Sequence, residues 1–481
     1  MLVRQTKDTF IRKYGDFGYI TNQLTKHDRV YDESGVDFLE TITRLPGDID
    51  DILKELINSF KDITMDELKK DFLDFIFDLE NDWFLVTGDS AEELDFKEPT
   101  FSYKSANPKT ATNSFGNMDK IDLVNDTVSF FYDKFKEKPQ ILGLQVEISS
   151  RCNERCIHCY IPNTSKKNGV DIDLAYILGI LDEAKKLGTL QLTLSGGEPF
   201  LHKDIEVILR HARKNDFSIS VLSNLVLLTD ELVQVLKEIN PSIVQVSLYS
   251  MKPNEHDAIT QVKGSFEKTK RNIEKLVEAE IPLQISCPVM KINRKSYKDV
   301  LIYAKKLRVK AYTDFIMMAQ TDHNINNLSQ RIDLLETEEL LLDIIKFDQD
   351  YLDTTLKLES KSKNIERFKK LPVCGVGFDS ICLSAEGNYF PCPGWQGLIV
   401  GNGHNQSLKN IWENSTQLKQ LRTITNESFP ECLACDALDY CAMCMVRNFN
   451  ESNGDIFNIP KHFCDVAFLN KKIVEEAIIK K

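Results

Sequence analysis

The chain has 481 residues, 42% hydrophobic and 28% charged, and a formal net charge of −13 at pH 7. Single cores stop growing near ~250–300 residues, so more than one domain is expected. No basic segment leads into an apolar stretch at the start, and no apolar run reaches ~18 residues. A secretory signal and a membrane span are therefore not expected, and a cytoplasmic location is.

Most of the charge lies at one end: residues 1–100 hold 24 Asp+Glu against 12 Lys+Arg. Such a surface repels phosphate backbones, so nucleic acid is not an expected partner. A basic or amphipathic peptide suits it better. Within this region Thr9–Ile11, Phe17–Ile20 and Arg29–Tyr31 read as short strands. Helical periodicity follows in Phe38, Leu39 and Ile42, then in Ile49, Ile52, Leu53 and Leu56. Thr64 is placed to cap a third helix carrying Leu68, Phe72, Phe75, Ile76 and Leu79, and Trp83–Val86 reads as a closing strand. Three strands and three helices predict a winged-helix-like domain over residues 1–98. The Ser-, Thr-, Asn- and Lys-rich stretch that follows has no apolar period, and residues 99–135 read as a linker.

From Leu142 strands and helices alternate. Strands are predicted at Leu142–Ile148, Leu190–Leu194, Phe217–Leu222, Ile243–Leu248, Leu283–Cys287 and Ala311–Ile316. Helices are predicted at Ile172–Leu187, Lys203–Lys214, Asp230–Ile239, Ser265–Ala279 and Ser296–Lys306. Six such units predict an α/β fold with a parallel sheet and outer helices over 136–350. Six strands do not close an eight-stranded barrel, so a partial (β/α)6 barrel is expected, with chemistry at the C-terminal strand ends.

Twelve cysteines in a reducing compartment point to metal or catalysis. Three of them form Cys152-x3-Cys156-x2-Cys159, directly after the first barrel strand, with His158 before the last and Tyr160 after it. A cubic [4Fe–4S] cluster takes four ligands, so three thiolates on one loop leave an iron open to a small molecule. Structural zinc is the alternative, but it favours two paired knuckles and no second pair lies near this loop. After the second strand comes Ser195-Gly196-Gly197-Glu198-Pro199, where two glycines permit close backbone approach to a ligand and a carboxylate can meet an ammonium.

With these motifs one βα unit apart, the chain resembles the radical S-adenosylmethionine (SAM) superfamily. The resemblance implies that Cys152, Cys156 and Cys159 hold a [4Fe–4S] cluster whose open iron is chelated by SAM. It implies that Gly196, Gly197 and Glu198 contact the SAM amino group, and it places Tyr160 among the cofactor-binding residues. Ser223, Asn224 and Ser247, at later strand ends, match the positions that bind ribose, with strand-end capping as the alternative. The chemistry implied is reductive cleavage of SAM to a 5′-deoxyadenosyl radical that abstracts hydrogen from an unactivated carbon.

Residues 365–481 carry a second group: Cys374, Gly387, Cys392, then Cys432-x2-Cys435-x5-Cys441-x2-Cys444, then Cys464. This resembles the SPASM extension, which implies two auxiliary [4Fe–4S] clusters. The pattern usually has three residues where Ala442-Met443 stand, which leaves the partition of ligands open. Zinc is again the competing chemistry for the paired CxxC motifs. Cys382 and Cys287 fall inside strands and read as buried core thiols.

The order of parts resembles ribosomal-peptide maturases of the sactipeptide type. That implies a precursor peptide whose leader is held by the N-terminal domain, thioether formation between cysteine and a carbon, and a small electron donor such as flavodoxin or ferredoxin. A peptide epimerase and a carbon–carbon crosslinking maturase are alternatives on the same scaffold. A sulfatase-type maturase fits less well, because Pro393 rather than Asp follows Cys392. A metal-sensing winged-helix regulator is the non-enzyme alternative, and it lacks a basic DNA face.

Overall fold

The computed structural model describes residues 1–32, 34–104, 131, 133–347 and 361–479. Strands β2 (Thr9–Tyr14), β3 (Phe17–Asn22) and β4 (Asp28–Asp32) form an antiparallel sheet in the order β2-β3-β4. Helices Ser34–Thr41, Ile49–Leu56 and Met65–Asn81 pack on it through Phe38, Leu39, Leu53, Phe72 and Ile76, all buried. Thr64 caps the third helix in a full capping box: its side chain accepts from the Glu67 N–H, and Glu67 reaches back to the Thr64 N–H.

The sequence did not disclose a second small sheet. Strand β1 (Leu2–Gln5) lies between β5 (Gly47–Asp48) and β6 (Leu85–Gly88). The expected closing strand at Trp83–Val86 therefore starts two residues later. Trp83 takes φ 64° and ends the helix before the chain turns into β6.

Strands β7 (Gly143–Ser149), β8 (Gln191–Gly196), β9 (Ser218–Ser223), β10 (Ile243–Ser247), β11 (Leu283–Ser286) and β12 (Lys310–Tyr312) run parallel and in sequence order. Their helices bury one face each. In Ile205–Lys214, for example, Ile205, Ile208, Leu209 and Ala212 point inward at helical spacing. The last strand is shorter than expected, because the chain leaves the sheet after Tyr312.

The partial barrel does not stop at six strands. Strand β13 (Ser380–Leu383) pairs parallel to β7, and β14 (Asn388–Phe390) and β15 (Gly401–Asn402) extend the same sheet antiparallel. The cysteine-rich region is thus built onto the barrel edge instead of standing apart, which also covers an otherwise open strand.

The described ends of the expected linker pack on the folded parts of the chain. Tyr103 is buried in the barrel core, its hydroxyl donating to Ile281 O at 2.9 Å and accepting from Leu283 N at 2.8 Å. Phe131 and Phe135 stack on each other and pack on Tyr14 and Phe17. The rest of the linker, 105–130 and 132, lies outside the described residues, as do 348–350 of the barrel range and 480–481 of the last domain. Among the described residues no helix is long and apolar enough to cross a membrane.

Candidate active site

The Cys152–Cys159 loop leaves the C-terminal end of β7 and is fixed on both sides. Ser149 donates its hydroxyl to Asp171 at 2.7 Å, and the Arg151 guanidinium pairs with the same carboxylate and with Leu201 O. Further on, the N–H groups of Arg155 and Ile157 donate to Thr260 O and Ile259 O at 2.9 and 3.0 Å. Arg155 also folds back onto Cys152 O at 2.6 Å. A loop held at so many backbone points presents its thiols without a further ordering cost.

Burial pushes the Cys152 thiol up to about 11, against the Glu154 N–H that donates to its Sγ at 3.4 Å. Cys156 is raised well above the usual thiol range by burial, with the charges of Glu154, Cys159 and Cys152 adding. A cation nearby favours the thiolate form. Lys166 supplies one: it is 3% exposed, hydrogen-bonds Cys159 and faces the charges of all three thiols. Among the described residues no three His, Cys, Asp or Glu side chains converge on a single metal ion. A cubane spreads its ligands over separate irons, so three electrostatically coupled thiols on a fixed loop fit a [4Fe–4S] cluster better than a lone ion.

Gly196 and Gly197 touch this loop directly. Gly196 has φ 130°, and a Cβ there would collide with Ser149 O; one on Gly197 would collide with Arg151 O. Gly197 N donates to Ser149 O at 2.7 Å and Glu198 N to Arg151 O at 2.9 Å. The sequence reading assigned the glycines to ligand approach. The structure gives them a second task, which is to let the β8 turn lie flat against the cysteine loop.

Glu198 is 1% exposed. Its carboxylate accepts from Ser223 Oγ at 2.7 Å, Asn224 N at 2.8 Å and Phe200 N at 3.1 Å. Burial raises it to about 7, with these donors opposing. Ser223 and Asn224, expected at ribose, are here the supports of Glu198, and Asn224 Nδ2 also donates to Asn153 Oδ1 at 2.9 Å in the cysteine loop. Ser247 stands at the end of β10 and hydrogen-bonds Tyr249, whose hydroxyl lies 3.8 Å from Cys156 Sγ. His158 packs edge-on against Tyr249 at 4.9 Å. The end of β8, the end of β9, Tyr249 and the cysteine loop therefore meet in one place.

Tyr160 points the other way. Burial raises its hydroxyl well above the usual range, and the charges of Glu147, Cys159, Cys382 and Cys392 add to that, so it stands between the two cysteine groups. The C-terminal cysteines divide in two. Burial raises Cys432 to about 11, with Cys441, Cys464 and Cys435 adding, and Cys464 is raised by burial and by Cys435. Burial raises Cys392 to about 12, with Cys444 and Cys374 adding. The first set has four thiols and the second has three.

Three residues at this site escaped the sequence reading. Lys166 sits in a polar Ser-Lys-Lys run with no pattern to single it out. Tyr249 follows a strand end and belongs to no motif. Glu147 was detectable: a carboxylate in the middle of an apolar strand occupies an inward position on one face. It is 4% exposed, accepts from Gln396 Nε2 at 2.9 Å, and is raised to about 8 by burial, with Glu386 adding.

Residues 146–304 match the Radical SAM superfamily, and residues 374–436 match SPASM, an iron–sulfur cluster-binding domain. The AdoMet-dependent heme synthase of Methanosarcina barkeri is 26% identical over 320 residues, covering 63% of this chain and 90% of that protein. The antilisterial bacteriocin subtilosin biosynthesis protein AlbA of Bacillus subtilis is 26% identical over 326 residues, covering 66% of this chain and 70% of that protein. The crystal structure of Streptococcus suis SuiB bound to its precursor peptide SuiA superposes with a TM-score of 0.62 at 14% identity, covering 95% of this chain and 100% of that one.

Proposed function

We propose that this chain, a radical SAM enzyme with a SPASM iron–sulfur domain, modifies a ribosomally made precursor peptide. The reaction is formation of a thioether between a cysteine sulfur and a carbon of the same peptide. SAM and a [4Fe–4S] cluster, when bound, supply the hydrogen-abstracting 5′-deoxyadenosyl radical. The chain's own residues hold and orient them. Cys152, Cys156 and Cys159 would hold the cluster, Lys166 would balance their charge, and Glu198 would serve as counter-charge to the SAM ammonium. Gly196, Gly197, Ser223, Asn224 and Ser247 shape the remainder of that pocket.

The observation that carries the peptide reading is the N-terminal domain. The relative whose name is heme synthase leaves more than a third of this chain unmatched, whereas the likeness to SuiB takes in 95% of it, N-terminal domain included. That domain is acidic, and its β4 stands at a sheet edge, where an extended peptide can add as a further strand. AlbA, by its name a subtilosin biosynthesis protein, points the same way. A small flavodoxin or ferredoxin is the expected electron donor.

The test is anaerobic co-expression with the short peptide encoded beside the gene, followed by mass measurement before and after thiol alkylation. Loss of two hydrogens and of one alkylatable thiol per crosslink supports the thioether. Loss of two hydrogens with thiols still free replaces it with a carbon–carbon link or a desaturation. Deuterium uptake from heavy water at otherwise constant mass replaces it with epimerisation.

A further inference from the structure

The division of the C-terminal cysteines leaves one cluster a ligand short, and the barrel sheet brings an eighth thiol to that side. Strand β13 pairs with β14 so that Cys382 lies opposite Phe390, and with β7 so that Cys382 lies beside Gln145. Side chains alternate along a strand. Ile381, Leu383 and Tyr389 accordingly enter the apolar barrel core, while Cys382 and Phe390 turn to the other face.

Gln145 shares the face of Cys382 by register, and so does Glu147 two residues on, tied to Gln396. Two residues past Phe390 comes Cys392, whose charge acts on Cys382, and Tyr160 faces both. Cys392 lies two residues beyond Phe390, the last paired residue of β14, so the chain carries it off the end of the face on which Cys382 sits. Cys382 is 0% exposed. Cys287, the other buried thiol, has an ordinary core role, its Sγ donating to Tyr249 O at 3.7 Å. Among the described residues Cys382 has no such hydrogen bond.

We propose that Cys382 is the fourth ligand of the auxiliary cluster held by Cys374, Cys392 and Cys444. Cys432, Cys435, Cys441 and Cys464 complete the other. Both auxiliary clusters are then coordinatively closed, so neither offers an iron to a substrate thiolate, and their work is electron transfer. This replaces the expectation that Cys382 is a core thiol. It rests on the SPASM domain and stands independently of the peptide reading.

The test uses the full chain with Cys152, Cys156 and Cys159 changed to Ala, so that only the auxiliary clusters remain. After anaerobic reconstitution and reduction, ¹³C-cyanide is added and pulsed EPR reads whether carbon couples to a cluster. Closed clusters give no ¹³C coupling, and adding Cys382→Ala makes coupling appear at one of them. Coupling in the protein that retains Cys382 overturns the proposal without recourse to any Cys382 variant. A Cys382→Ala protein that keeps its iron, its EPR spectrum and its indifference to cyanide overturns it as well.

Discussion

Arg12, in the N-terminal sheet, and Asp216, in the turn before β9, form an ion pair across the boundary between the N-terminal domain and the barrel. The Arg12 side chain is only 4% exposed, and its Nη1 donates to Asp216 Oδ2 at 3.0 Å. Arg44 approaches the other carboxylate oxygen at 2.6 Å, and Arg12 adds a bond to Thr189 O. One carboxylate thus answers two arginines from the acidic domain. Burial opposes its charge, but Arg44 and Arg12 outweigh that and hold Asp216 below the usual carboxylate range. Replacing it leaves Arg12 buried without a counter-ion.

Asp216→Asn is therefore expected to cost about 3 kcal/mol, the loss typical of breaking a buried pair. The loss falls on domain docking rather than on the cores. The measurement is hydrogen exchange: faster exchange at the β2 and Thr189 contact with unchanged rates in the inner barrel strands is the expected pattern. Because the folded carboxylate is depressed, this stabilisation is present at neutral pH and disappears as the pH falls through the folded value. Uniform exchange across the chain would argue against a latch.

Gly197→Ala tests the contact between the β8 turn and the cysteine loop. The added Cβ meets the Arg151 carbonyl and approaches Cys152 Cβ at 3.0 Å, so the backbone has to move. The expected result is loss of most of the SAM-binding cluster, on the order of tenfold in iron retained there, by analogy with the usual cost of disturbing ligand support. Auxiliary-cluster EPR signals remain. Equal loss from all clusters would indicate general misfolding instead.

The barrel was legible because its signals are local. Asp230–Ile239 was placed to the residue by apolar period, with Thr229 capping it, and the CxxxCxxC loop sits where a strand had to end. Strand β1 was not legible: four residues hold their place through partners in β5 and β6 that lie 44 or more positions away. The attachment of β13 to β7 is hidden for the same reason, since Ser380 meets Gly143 across most of the barrel. The proposal made for Cys382 depends on that attachment. A cysteine in an apolar strand looks like core until the register shows which face it takes.

Lys166 is the main cation beside Cys152, Cys156 and Cys159, the thiols proposed to hold the SAM-binding cluster. Burial works against its charge, but Cys159, Cys152 and Cys156 outweigh it and keep the lysine protonated. Removing that charge makes a reduced, more negative cluster harder to form. Lys166→Met is expected to lower the midpoint potential by on the order of tens of millivolts, since net charge near the sulfurs tunes such potentials. An EPR-monitored redox titration without SAM reads it. An unchanged or raised potential would remove Lys166 from this role.

Glu147 gives the chain a pH dependence with a sign set by its burial. Its carboxyl is raised to about 8, chiefly by burial, with Glu386 adding and the Gln396 bond opposing. In the unfolded chain it ionises near its ordinary value of 4.5. Between these limits the unfolded state binds fewer protons, so stability falls as the pH rises, by roughly 1.4 kcal/mol per pH unit at most for this one group. Above about 8 both states are ionised and the slope from Glu147 ends. Glu147→Gln keeps an oxygen for Gln396 and removes the titration. Urea midpoints of the cluster-free chain at pH 6 and pH 8.5 should therefore fall more steeply in the native protein than in the variant. Parallel lines across that range would mean that Glu147 is already ionised in the folded protein at pH 6.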